Sequence, residues 1–389
     1  MRWTALVCGA TLLIVLPALG VLGTLLHNVP YIGLATAFVP WYLPWLVVVT
    51  LIGGALAVNL WSRRRSRFTA ALVVLTVLTL AGASVITARM TAAVEHAGAD
   101  VDLIETFGIG VPKSVKPDAE PIYTTFDGEP LRLSIHRPPG SSADFRAPVL
   151  FYIHGGGWVA GDRNSHSADL RWFADQGWLT IGLDYALSTG DRHMWDVAQS
   201  QIGCALAWVG ENAARYGGDP GRLSLSGDSA GGNLAINTAY LAARGGLRSS
   251  CGGRIPGVGA VSALYPVVDP AGSYGNDDPA LGNTSRGYAA AYTGGSPQEF
   301  PARYAAIASA THISAAAPPT LIIVGEADHL VPTAGTDRFA EQAMAAGVDV
   351  ELVTVPYADH VFDGRPGSIG QQAYRQLTAQ WFRDNGLAP

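Results

Sequence analysis

Leu223-Ser224-Leu225-Ser226-Gly227-Asp228-Ser229-Ala230-Gly231-Gly232 is the stretch on which the reading of this chain turns. A short apolar run leads into a serine with a glycine two residues away on either side, and residues 232–241 then carry a helical pattern. A strand that turns sharply into a helix crowds its backbone around the turn, and glycine at 227 and 231 removes the Cβ atoms that would collide there. Ser229 is thereby lifted clear of the sheet, with the Ala230 N–H and the positive end of the following helix beside it. Such surroundings favour an anion next to the serine. A plain small-residue turn would read the same way, so the deciding chemistry has to come from other segments.

Upstream, residues 148–153 are continuously apolar, as a strand buried on both faces of a parallel sheet must be. They end in His154-Gly155-Gly156-Gly157-Trp158. Consecutive glycines let backbone N–H groups converge on one point, which makes Gly155 and Gly156, with Ala230, candidates for an oxyanion hole. Before them, 122–126 and 131–135 flank Asp127-Gly128 as a hairpin. After them come a helix at 167–176, a strand at 179–183 ending in Asp184-Tyr185, and a helix at 198–214. Further strands fall at 258–264, 321–324 and 350–355. Strands alternating with helices predict an α/β fold with a mainly parallel, doubly wound sheet. Between about 270 and 318 the pattern breaks into Gly, Pro, Asn and aromatic residues around a weak helix at 301–309, as a cap insertion does. Tyr274, Tyr288, Tyr292 and Phe300 in it fit an acyl pocket or ordinary cap packing.

A serine hydroxyl needs a base to take its proton and a carboxylate to orient that base. Asp328, in Gly325-Glu326-Ala327-Asp328-His329, follows one strand, and His360, in Tyr357-Ala358-Asp359-His360-Val361, follows the next. Both loops leave the strand ends where ligand chemistry collects in open α/β sheets. Ser229, Asp328, His360 is also the chain order of the α/β-hydrolase triad. Glu326 is a rival acid, His329 reads as a surface residue, and Asp359 and Asp363 read as carboxylates capping the turn.

These segments resemble the hormone-sensitive-lipase-like and feruloyl-esterase-like branch of serine esterases in the α/β-hydrolase superfamily. His154-Gly155-Gly156-Gly157-Trp158 matches its oxyanion motif, Gly227-Asp228-Ser229-Ala230-Gly231-Gly232 its nucleophile motif, and 317–332 the segment that carries its acid. The resemblance covers about 121–385 and implies hydrolysis of carboxylic esters, small or lipid, through an acyl-enzyme and without a cofactor. It also implies Ser229, Asp328 and His360 as catalytic residues and Trp158, Tyr185 and Asp228 near the substrate. Peptide or amide cleavage by the same triad, and a non-catalytic binding role, are the alternatives. The family often continues Arg-Leu-Ala-Pro after Asp-Tyr, whereas this chain has Ala186-Leu187-Ser188-Thr189.

The 389 residues have a mean hydropathy of +0.21, and the apolar excess is concentrated at the N-terminus. Runs at 5–26, 41–60 and 68–88 are long enough to cross a bilayer and carry no formal charge, so 1–89 reads as a membrane anchor and 90–120 as a linker into a catalytic domain at 121–389. Val94, Ala97, Val101 and Ile104 suggest a short amphipathic helix in that linker, and Lys113-Ser114-Val115-Lys116-Pro117 its end. Residues 1–88 hold no acidic residue, so the remainder is strongly acidic, which argues against nucleic acid as a partner. The cysteines and histidines show no metal-binding spacing. Cys204 and Cys251 are left as a disulfide or as two buried thiols.

Arg63, Arg64, Arg65 and Arg67 make the second loop basic while 27–40 has no Lys or Arg. That asymmetry keeps the basic loop in the cytoplasm and sends everything after Arg89 to the other side of the cytoplasmic membrane. Trp41, Tyr42 and Trp45 then mark the outer interface and Trp61 the inner one. A reporter fused directly after Arg89 should be active outside the cytoplasm; cytoplasmic activity there would overturn this orientation.

Overall fold

The computed structural model describes residues 2–110, 114–140 and 146–389, so Lys113 of the expected linker lies outside the described residues. By density of contacts the chain forms two units. The first comprises Met1–Val111, Gly325–His329 and Thr354–Ala373, the second Pro112–Val324, Leu330–Val353 and Tyr374–Pro389.

Three helices dominate the first unit: α1 (Arg2–Leu25), α2 (Val39–Arg63) and α3 (Arg67–His96). Each is long and apolar enough to cross a membrane. Ser66 starts α3 by accepting the Thr69 N–H at 3.1 Å. Small residues let the helices approach closely: a Cβ at Gly53 would lie 2.8 Å from Ile14, and one at Gly54 2.5 Å from Thr76. Their outward faces carry Leu12, Leu16, Val77 and Leu78, each about 60% exposed, a surface that water does not tolerate over this extent. Hydroxyls of Thr11, Thr24, Thr76, Thr79, Ser84 and Thr87 bond back to carbonyls four residues earlier, so these six are satisfied within their own helices.

The third helix runs past 88 to His96, where Gly98 at φ 105° closes it. A separate helix over 94–104 does not form: Val94 belongs to α3, and a single 3-10 turn, Glu105–Phe107, follows. Trp41 and Trp45, expected at a lipid interface, donate their indole N–H groups to the carbonyls of Phe362 and Phe107.

The sheet is β1 (Ile122–Phe126), β2 (Glu129–His136), β3 (Ala147–Ile153), β4 (Leu179–Leu183), β5 (Gly218–Asp228), β6 (Val258–Leu264), β7 (Thr320–Gly325) and β8 (Val350–Val355), in the order β1-β2-β4-β3-β5-β6-β7-β8. β1, β2 and β4 pair antiparallel, while β4, β3, β5, β6 and β7 run parallel. β3 is buried along its whole length, the reason its sequence lacks alternation. Asp127 at φ 51° and Gly128 at φ 85° make the tight turn between β1 and β2. This is the mainly parallel, doubly wound sheet that the strand pattern predicts, in the α/β-hydrolase form that the resemblance implies.

Helices α4 (Ser167–Asp175), α5 (Ala198–Asn212) and α6 (Ser229–Ala243) connect the central strands. The insertion is more regular than its composition suggests, with α7 (Pro270–Tyr274), α8 (Gly282–Thr293) and α9 (Pro301–Ile307). Pro270 and Pro301 open α7 and α9 with their φ already helical, and Gly294 at φ 95° ends α8. Helices α10 (Thr333–Ala345) and α11 (Ile369–Asp384) complete the chain. Cys204 of α5 and Cys251 form a disulfide with Cα atoms 5.3 Å apart, which resolves the choice that spacing left open.

Candidate active site

Ser229 sits where β5 becomes α6, at φ 51°, a left-handed conformation that costs a non-glycine residue about 1–3 kcal/mol. The flanking glycines are required by β3, not only by the turn itself. A Cβ at Gly227 would lie 2.5 Å from the Gly231 carbonyl and 2.7 Å from that of Ile153, and one at Gly231 would overlap the Ile153 carbonyl. The end of β3 is thus pressed against the serine turn, and the glycine loop begins there.

Asp228 fastens that loop. Its Oδ1 accepts the Gly155 N–H at 2.7 Å and the Tyr152 hydroxyl at 2.6 Å. Burial pushes the Tyr152 hydroxyl well above its usual value, so it stays a donor. The Gly155 N–H is consequently spent, which removes Gly155 from the expected oxyanion donors. Gly156 and Gly157, at φ 100° and 60°, make no intrachain N–H hydrogen bond among the described residues.

The three residues expected beside the substrate are all buried around the glycine loop. Asp228 is buried and bonded as above. Tyr185 is buried, donates to the His154 carbonyl at 2.9 Å and stacks on the His154 ring at 4.3 Å. Trp158 is buried and stacks on Tyr292 of α8 at 4.5 Å, while the Tyr288 ring covers Gly157 so closely that a Cβ there would overlap it. Two of the insertion's aromatic residues therefore pack on the glycine loop. Burial holds the His154 imidazole below its ordinary pKa, leaving a neutral ring whose Nδ1 faces the Gly155 carbonyl at 2.8 Å.

The second group of residues lies in the first unit, on the loops that follow β7 and β8. Asp328 Oδ2 meets His360 Nδ1 at 2.7 Å, with both side chains buried. Backbone bonds from Glu326 to Val355 and from Ala327 to Ala358, both 2.9 Å, lock the two loops together. Glu326, the rival acid, accepts the Tyr357 N–H at 3.2 Å. Among the described contacts it is Asp328 that holds His360.

One neighbour departs from its expected role, and another does more than expected. His329 is not a surface residue: its Nδ1 meets Asp359 Oδ2 at 2.7 Å, and only 12% of its side chain is exposed. Asp359 is 2% exposed. Burial would raise its pKa, but hydrogen bonds from His329 outweigh this and hold it below the usual carboxylate value. Asp359 does cap the turn through the His360 N–H at 2.7 Å, but no sequence signal shows its further bonds to His329 and to the distant Thr36.

The profile of the BD-FAE family matches residues 133–343, which include Ser229 and Asp328 and stop short of His360. Esterase LipQ of Mycobacterium tuberculosis is 30% identical over 239 residues, covering 59% of this chain and 54% of that protein. Ethyl acetate hydrolase of Pseudomonas putida is 29% identical over 272 residues, covering 67% of this chain and 80% of that protein. The propionate-bound structure of the Thermogutta terrifontis esterase Est2 superposes with a TM-score of 0.58 at 26% identity, covering 71% of this chain and 97% of that one. The chain spans about half the length of the first curated relatives that it matches.

Replacing Asp228 by Ala strands the Gly155 N–H and the Tyr152 hydroxyl in the interior. Asp228→Ala should cost about 3 kcal/mol of stability and Asp228→Asn, which keeps one carbonyl oxygen, less than half of that. Denaturation of the two variants checks this, and equal stability for Asp228→Ala and wild type would contradict the tether.

Proposed function

Because the chain belongs to the BD-FAE family, we propose that it is a membrane-anchored serine carboxylesterase of the hormone-sensitive-lipase-like branch, with 1–89 as anchor and 121–389 as catalytic domain. The observation that carries this reading is the buried Asp328–His360 pair at 2.7 Å in a chain whose β5 ends in a left-handed serine. An aspartate on Nδ1 fixes the tautomer in which Nε2 carries the lone pair, the form a serine nucleophile requires of its base. The relatives' names support an ester as substrate.

In this mechanism His360 takes the proton of Ser229 as its Oγ attacks the ester carbonyl carbon. The carbonyl oxygen becomes an anion held by the N–H groups of Gly156, Gly157 and Ala230. Collapse breaks the C–O bond to the alcohol, which leaves with the proton from His360. Water, deprotonated by His360, then attacks the acyl-enzyme, and the carboxylic acid departs as Ser229 recovers its proton. Asp328 stays ionised and stabilises the imidazolium formed in each half. No step calls for a cofactor.

The three apolar helices support a membrane location, with catalysis outside the cytoplasm by the charge asymmetry of the loops. Leu103, Ile104, Phe107 and Ile109, all exposed beyond the end of α3, add apolar surface outside the helices and favour substrates drawn from a lipid phase.

Ser229→Ala should reduce hydrolysis of short p-nitrophenyl esters by about a million-fold, to the residual rate that an oxyanion hole alone gives. Undiminished turnover by that variant would end the assignment. Amide analogues assayed beside the esters should be poor substrates, and preferential amide cleavage would shift the reading to a peptidase.

A further inference from the structure

Asp359 is a buried carboxylate next to the proposed base, and a buried charge persists only if donors surround it. Four do. Oδ1 accepts the backbone N–H of His329 at 3.0 Å and of His360 at 2.7 Å, and Oδ2 accepts from His329 Nδ1 at 2.7 Å and from the Thr36 hydroxyl at 2.8 Å. The first three donors belong to the acid and base loops themselves. Thr36 comes from a different part of the chain, the 3-10 turn Gly33–Ala37 between α1 and α2. His329 reaches the same connection through its Nε2, 3.2 Å from the His27 carbonyl.

This is one of several ties between the base loop and the apolar helices. Arg89 of α3 donates to the Tyr357 hydroxyl at 2.7 Å, with its guanidinium 5.2 Å from the ring centre. His27 packs edge-on against the same ring at 5.8 Å. Trp41 of α2 donates to the Phe362 carbonyl at 3.0 Å, and Arg365 donates back to the Trp41 carbonyl. Tyr357 and Val361 meanwhile sit at φ 57° and 60°, left-handed positions that a loop of ordinary residues leaves unless its surroundings hold it.

We propose that the connection between α1 and α2, with the start of α2, positions the catalytic base: Thr36 and His329 fix Asp359, Asp359 fixes the His360 backbone, and Trp41 fixes the chain beyond it. Thr36, His329, Asp359 and Trp41 are then positioning residues, and the helices are part of the catalytic scaffold besides anchoring it. The inference rests on the reading of His360 as the base. A displaced base lowers the rate of proton transfer and leaves ester binding alone, so the effect falls on kcat and not on KM.

The test uses the full chain in detergent, p-nitrophenyl butyrate as substrate, and a fluorophosphonate driven to completion to count folded sites. Thr36→Val should lower kcat per titrated site by about 10- to 100-fold with KM changed less than about twofold, and Thr36→Ser, which restores the hydroxyl, should recover most of the loss. A wild-type kcat for Thr36→Val, or equal damage from Thr36→Ser, would overturn the proposal. Should Thr36→Val yield no titratable protein, Trp41→Phe keeps the ring's bulk and removes the N–H. It should lower kcat by about threefold or more at unchanged KM, and an unchanged kcat there would overturn the proposal equally. Ser229→Ala in the same assay separates the two claims. Turnover by Ser229→Ala defeats the esterase reading, whereas an inactive Ser229→Ala beside a fully active Thr36→Val defeats only the positioning role.

Discussion

The left-handed backbone at Ser229 is the constraint from which the rest of the site follows. A non-glycine residue stays there only if its neighbours leave it no alternative. β3 supplies that confinement through the Ile153 and His154 carbonyls, which come so close to the turn that only glycine fits at 227 and 231. The same closeness brings the glycine loop to the serine, and Asp228, one residue before it, binds the Gly155 N–H. One backbone distortion thus brings Ser229 and the glycine loop together, the proposed nucleophile and oxyanion donors. The parallel sheet carries the fixed end of that arrangement, with β3 and β5 paired from Val149 to Gly227.

Three buried aspartates divide the remaining work by the donors they are given. Asp228 takes a glycine N–H and a tyrosine hydroxyl and shapes the loop. Asp328 takes the His360 imidazole, the proposed base. Asp359 takes two backbone N–H groups, an imidazole and a threonine hydroxyl, and so binds the acid loop, the base loop and the α1–α2 connection into one cluster. Each carboxylate is buried, so each would be costly without those partners, and removal of a partner should be felt locally. In the esterase reading, the helix-linked cluster makes the membrane anchor a determinant of rate.

Much of this was legible in the sequence where the signal is local. The apolar runs at 148–153, 179–183 and 258–264 mark strands because a strand covered on both faces has no polar side to show. The glycines around Ser229 and the loops bearing Asp328 and His360 were legible because their chemistry is carried by residue type and order. Within the insertion α9 is legible as the weak helix at 301–309, whereas α7 and α8 are not, since a five-residue helix opened by proline and a twelve-residue one begun and interrupted by glycine carry little periodicity. Only the fold reveals that Asp228 takes the Gly155 N–H. The packing of Trp158 and Tyr185 and the burial of His329 and Asp359 are not legible for a related reason. Their partners lie from 30 positions away, as Asp359 for His329, to 323, as Thr36 for Asp359, and spacing alone does not pair them.

The central claim is that Ser229 and His360 act as nucleophile and base, although they belong to different units of the chain. The rate at which a fluorophosphonate labels Ser229 in the full-length protein tests it most directly, since labelling demands an activated serine and no particular ester. The account predicts that His360→Ala slows labelling by about 100-fold or more while the protein remains folded. Labelling of His360→Ala at the wild-type rate would contradict it.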